Sequence, residues 1–208
     1  MKIIKELLNT IDLKFMAFAV LISLILTISI AIQALAQENT LQQRVANEII
    51  RFHVVANSND SNDQLLKMLV KEEVLNKIAP ILYGTNNIDE IKKILKQNLN
   101  FIEEVASNIV SQYGNYNVSS SLSLVKFPTI TYGDMTLPKG YYNALQITIG
   151  NGVGYNWWCV MFPMLCFIEG STTPTQEMEE LFEDILTEEE FKEVFNIRFK
   201  TLDWIIGE

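Results

Sequence analysis

The sequence predicts an exported α+β protein: a mixed or antiparallel sheet with helices packed on one face, preceded by an N-terminal signal or anchor helix. Three observations predict this. An uncharged apolar run, "FMAFAVLISLILTISIAI", follows a basic N-terminus. Helical periodicity fills residues 62–113. Strand-like alternation and apolar runs fill residues 118–168, with one dense β-branched run, Ile49 to Val55, ahead of the helices. The order strand–helix–helix–strands–helix belongs to the α+β class, and 208 residues suffice for one domain with a real core.

The N-terminus sets the compartment. Lys2, Lys5 and Lys14 precede the run Phe15 to Ile32, and "QALAQE" places Ala34 and Ala36 in an A-x-A arrangement. A basic flank, an apolar run and a small-residue site read as a signal peptide cleaved after Ala36. The run is also nearly long enough to span a bilayer, so an uncleaved anchor touching the membrane through residues 15–36 is the alternative. Both readings place residues 37–208 outside the cytoplasm, because the basic flank stays inside. The expected organisation is therefore a signal peptide or anchor over 1–36, a linker over 37–48, a core α+β domain over 49–170, and an acidic C-terminal extension over 171–208, helical and packed on the core.

After the strand at 49–55, "NSNDSND" supplies turn and capping residues. Ser61 or Asp60 caps a helix from Asn62 to Leu82, with Leu65, Leu66, Leu69, Val70 and Val74 as its apolar stripe and Pro80 at its fraying end. A second helix is expected from Ile88 to Tyr113, stopped by Gly114. "NVSSSLSLVKF" reads as a half-exposed strand. "TITYGDMTLP" and "YYNALQITIG" read as two more, joined by Pro138, Lys139 and Gly140. "GNGVGYN" reads as a hairpin loop or bulge, since Gly154 falls one position too early for a dinucleotide-binding G-x-G-x-x-G and no helix follows. Trp157 to Ile168 is apolar enough for a buried strand or hairpin. "EGSTTPTQ" is a linker, and the tail is helical in composition, with a final strand possible at Phe195, Ile197 and Phe199.

The net charge is −9, and beyond residue 36 there are 13 basic against 23 acidic side chains. Ten of those acids lie between Glu169 and Glu193 and read as a solvated helix face. Such a chain lacks the basic footprint of a nucleic-acid binder and any polybasic attraction to anionic lipid.

Cys159, Cys166 and His53 offer at most three ligands where a structural zinc takes four, and the cysteine spacing is not C-x-x-C. No metal or cofactor is expected. In an oxidising compartment the cysteines pair as a disulfide across a turn at Phe162 and Pro163, with free or exchange-active thiols as the alternative. Trp157 and Trp158 point to opposite faces of a strand, so one can be core while the other meets solvent or a partner. Alternation puts Arg51, His53 and Val55 on one face. A catalytic histidine needs a nucleophile and an orienting partner. Ser58 is the nearest serine in sequence, but no nucleophile motif surrounds it, and Asn57, Ser58 and Asp60 equally suit a helix cap. No catalytic residue is assigned.

Two long blocks, "IRFHVVANSNDSNDQLLKMLVKEEVL" and "FPTITYGDMTLPKGYYNALQITIGNGVGYNWWCVMFPMLCF", together with the apolar N-terminus, resemble the stage II sporulation protein R family. The matching positions are Arg51, Phe52, His53, Ala56, Asn57 and Ser58, then Phe127, Pro128, Tyr132, Gly133, Asn156, Trp157, Trp158, Cys159, Phe162, Pro163 and Cys166. The resemblance implies a messenger rather than an enzyme. It would be exported from the forespore into the intermembrane space. There it would trigger a membrane-embedded aspartic protease of the mother-cell membrane, which processes the pro-form of sigma factor E. The family brings no settled active residues. The candidate partner contacts are Tyr155, Asn156, Trp157, Trp158, Arg51, His53 and Asn57. The alternative is an extracytoplasmic cell-wall protein that binds or hydrolyses carbohydrate or peptidoglycan.

Overall fold

The computed structural model describes residues 13–167 and 176–195, and the chain forms two units, residues 1–40 and 41–208. Lys2 and Lys5 lie outside the described residues. Helix α1 (Leu13–Glu48) begins in the first unit. It is the one helix among the described residues long and apolar enough to cross a membrane, with a mean hydropathy of 2.7 over its apolar 18-residue stretch. Its Phe, Leu and Ile side chains from Phe15 to Leu35 are exposed on every side, which suits lipid rather than water. At about 1.5 Å per residue, Phe15 to Ile32 covers about 27 Å, close to a hydrocarbon core of about 30 Å. This fits the expected signal or anchor helix.

The second unit starts within that helix. Residues 37–48, expected to be a linker, are helical as far as Glu48. Leu41, Val45 and Ile49, spaced four apart, are buried, and this single apolar stripe gives the segment a helix face to bury.

Strand β1 (Ile50–Val55) follows, buried at every position. Asp60 then caps helix α2 (Ser61–Leu82), its carboxylate accepting from the Asn62 N–H at 2.9 Å. The buried face of α2 runs through Leu66, Val70, Val74, Leu75, Ile78 and Leu82, and Pro80 stays within the last turn. Leu65, expected in the stripe, is 56% exposed, because the buried series passes one position to its side.

The long second helix is in fact two, α3 (Ile88–Gln97) and α4 (Leu99–Tyr113). Asn98 breaks it. Its side chain donates to the Ile94 carbonyl at 2.8 Å, and its backbone sits at φ −104°, ψ 9°. A short amide side chain competes with the backbone for helical acceptors.

The remaining strands are β2 (Val118–Phe127), β3 (Ile130–Tyr132), β4 (Met135–Leu137), β5 (Gly140–Ile149) and β6 (Asn156–Phe162). "TITYGDMTLP", expected as one strand, is the separate hairpin β3–β4, turned at Gly133 with its positive φ of 58°. The main sheet has the order β2-β5-β1-β6. It is mixed: β1 runs parallel to β5 and antiparallel to β6, while β2 and β5 are antiparallel.

Helices α2, α3 and α4 cover one face, against Ile50, Phe52 and Val54 of β1 and Leu145 and Ile147 of β5. The opposite face is covered as well. There Tyr142, Ala144 and Val160 pack with Leu41 and Val45, the β3–β4 residues Met135 and Leu137, and Phe182, Leu186 and Phe195 of the tail. The tail contributes helix α5 (Gln176–Glu183) and a helical segment at 188–195. Phe195 is helical, while Ile197 and Phe199, the rest of the expected final strand, lie outside the described residues. So does nearly all of the "EGSTTPTQ" linker.

Candidate functional site

The loops at the C-terminal end of β1 form a densely hydrogen-bonded surface of the second unit. "GNGVGYN" joins β5 to β6, but these strands are not neighbours, since β1 lies between them. The segment is therefore no hairpin loop; it is a crossover that must pass over the end of β1. Gly154 N–H donates to the Ala56 carbonyl at 3.0 Å, and Val153 N–H to that of Asn57 at 3.4 Å. Asn57 Oδ1 accepts from the Asn151 N–H at 2.9 Å. The approach is so close that a Cβ on Gly154 would stand 2.2 Å from the Ser58 carbonyl oxygen. Glycine is required there by the neighbouring backbone.

Asn57 also reaches the other way. Its Nδ2 donates to Asp63 at 2.8 Å, and Ser58 Oγ donates to the same carboxylate oxygen at 2.6 Å. The Ser58 bond, then the Asn57 bond, holds the Asp63 carboxyl below the usual carboxylate range. The neighbouring carboxylate in turn raises the pKa of the Tyr116 hydroxyl. Lys67, nearly buried in α2, donates to the Tyr155 carbonyl at 3.0 Å and to Gln64 at 2.7 Å. Burial pushes its pKa down. Asp63 and Lys67 thus fasten α2 to both loops. Beside them opens a cleft of about 520 Å³ lined by Ser58, Asp60, Asp63, Leu65, Tyr113 and Tyr116. Held on this frame, Val153 and Tyr155 stand 71% and 67% exposed.

The sequence candidates separate into distinct places. Tyr155 is the exposed one at the loop, and Asn57 is the pin beneath it. Asn156 opens β6 and meets His53, with Nε2 and Oδ1 2.7 Å apart. The His53 ring stacks on Trp158 at 3.7 Å between centroids. Burial pushes its pKa down to about 4, partly offset by the Asn156 bond. Ser58 bonds Asp63 and His53 bonds Asn156, so the serine and histidine that a hydrolase would couple are engaged elsewhere. Trp157 lies on the opposite face, edge-on to Phe52, with Lys71 Nζ 5.2 Å from its ring centroid. Both tryptophans are half-buried.

Arg51 is not at the surface at all. It is fully buried, with its guanidinium 4.3 Å from the Phe127 ring centroid. Nε donates to the Cys159 carbonyl at 3.0 Å and Nη2 to the Tyr132 hydroxyl at 2.9 Å. It acts as core glue between β1, β6 and the β3–β4 hairpin. Cys159 and Cys166 are joined as a disulfide, with Cα atoms 5.8 Å apart. It ties the middle of β6 to the 3₁₀ turn Leu165–Phe167.

Sequence reasoning missed Asp63, Lys67 and Val153. Asp63 carried a signal, an acid three positions after the N-cap Asp60. Val153 had none, because exposure in a crossover depends on strand order.

The loop frame and the β1–β6 pair fall inside one matched region. The family model for stage II sporulation protein R matches residues 46–172. The chain is also 31% identical to stage II sporulation protein R of Bacillus subtilis (strain 168), over 88% of this chain and 94% of the relative. The chain belongs to the stage II sporulation protein R family. A role in sporulation follows from that membership. No solved structure matches the chain.

Proposed function

We propose that this protein is an exported sporulation messenger. It activates a membrane-embedded aspartic protease of the mother-cell membrane by direct contact, leading to processing of the pro-form of sigma factor E, and it performs no bond-making chemistry itself. The observation that carries the contact surface is the exposed pair Val153 and Tyr155 on a crossover pinned by Asn57 and Lys67, within the region shared with the family. An exposed tyrosine on a pre-ordered loop presents contact area at little entropic cost. The apolar α1 supports export from the forespore, as a signal peptide or as an anchor.

Activation by touch is binding linkage. The messenger shifts the receptor toward whichever state it binds better, by no more than the difference in binding energy. The test reconstitutes this protein, the candidate protease and its sigma-factor substrate in one membrane system. Cleavage should require this protein and should fall when Val153 and Tyr155 are both replaced by Ala in a chain that still folds. Full cleavage with the double variant sinks the surface; cleavage without this protein sinks the activation reading.

A further inference from the structure

Strand β2 is an open edge whose geometry favours a copy of itself. Gly150 N–H continues the β2–β5 ladder by donating to the Asn117 carbonyl at 2.8 Å, whereas the Ser120 N–H turns away from β5 and donates to the Glu103 carboxylate at 2.9 Å. Odd-numbered residues of β2 therefore face β5, and even-numbered ones face outward. The register is unbroken from Val118 to Phe127. The N–H and C=O groups of Leu122, Leu124 and Lys126 consequently point away from the sheet, and no hydrogen bond among the described residues engages them. Leu124 at the middle of this row is 66% exposed. Glu103 closes only the Ser120 end. An edge of this kind is a template for another strand.

We infer that β2 pairs antiparallel with β2 of a second copy of this chain, centred on Leu124. Outward-facing residues must meet outward-facing residues, which restricts the choice of register. Centring on Leu124 sets it opposite its own copy and Leu122 opposite the partner's Lys126. Shifting the centre toward the N-terminus drives the partner strand onto Glu103, and shifting it the other way shortens the pairing. Charge selects the same arrangement. The edge carries an acid at one end, Glu103, and a base at the other, Lys126. Antiparallel pairing brings each base toward the partner's acid. The result is a closed two-fold pair with one exposed leucine buried against another. The contact is small, so the dimer is weak in solution and is favoured where α1 confines both copies to one membrane. The net charge of −9 opposes it, and salt relieves that opposition.

The test uses the full-length chain in liposomes under mild oxidation, with the native disulfide intact. Cα atoms of a hydrogen-bonded antiparallel pair lie about 5.5 Å apart, within disulfide reach, while a four-residue offset gives about 14 Å. Leu124→Cys should form a covalent dimer and Lys126→Cys alone should not. A mixture of Leu122→Cys and Lys126→Cys chains should crosslink to each other. Leu124→Pro removes one outward N–H and no bond to β5. Added to the Leu122→Cys and Lys126→Cys chains, it should abolish their crosslink in the same liposomes without lowering the melting temperature by more than a few degrees. Equal crosslinking at 124 and 126, or none at 124, overturns the proposal. A dimer that survives Leu124→Pro also overturns it. None of these outcomes bears on whether the protein activates a protease.

Discussion

Lowering the pH from 7 toward 4.5 tests the buried imidazole of His53. The residue is 5% exposed and stacked on Trp158, and its pKa falls from 6.5 to about 4 in the fold. Above pH 6.5 the ring is neutral in both folded and unfolded chains, and its contribution to stability is fully present. As the pH drops through the window from 6.5 to about 4, the unfolded chain takes up a proton that the folded chain refuses. Stability then declines by up to about 1.4 kcal/mol per pH unit. The whole interval corresponds to at most about 3 kcal/mol, and about 2 kcal/mol is the working figure, because the ring borders solvent-facing Asn156 and is partly screened. The assay is urea unfolding of the full-length chain in detergent at several pH values, beside His53→Phe, which keeps the stack on Trp158 but cannot titrate. Carboxylates contribute equally to both proteins and cancel in the difference. The wild type should lose about 2 kcal/mol more than the variant between pH 7 and 4.5. Parallel losses in the two proteins would refute the reasoning.

Other perturbations have equally definite outcomes. Arg51→Ala leaves the Cys159 carbonyl and the Tyr132 hydroxyl without their donor and opens a void, so chemical unfolding should show a loss of about 3 kcal/mol or more; Arg51→Met should cost less than Arg51→Ala. Reducing the Cys159–Cys166 bond, or replacing both cysteines by Ala, should lower unfolding free energy by about 2–3 kcal/mol, the loop-entropy value for so short a ring. Gly154→Ala forces a Cβ against the Ser58 carbonyl, so amide exchange at residues 151–155 should accelerate and protease activation should drop.

Much of this was legible in the sequence, for physical reasons. The β-branched run at 49–55 read as a buried strand, and Ser61 or Asp60 announced its helix as a cap, which Asp60 proves to be. Where the prediction failed, the deciding interaction was distant or depended on a single side chain. Asn98 divides a stretch whose apolar period never falters. The stripe Leu41, Val45, Ile49 looked like a linker because its partners, Tyr142 and Phe182 among them, come about a hundred residues later or more. Arg51 alternates onto the face with His53, as expected. Nothing local indicated that Tyr132 and Phe127 would enclose it. The glycine-rich segment read as a hairpin because adjacent strands in sequence are usually adjacent in space; here β1 stands between them.

That insertion of β1 governs the order in which the chain can acquire structure. Phe52 finds its two lateral neighbours in Leu145 and Cys159. A chain made from its N-terminus presents β1 well before either flanking strand exists. The four-stranded sheet therefore cannot close until Phe162 has been synthesised, about a hundred residues after β1.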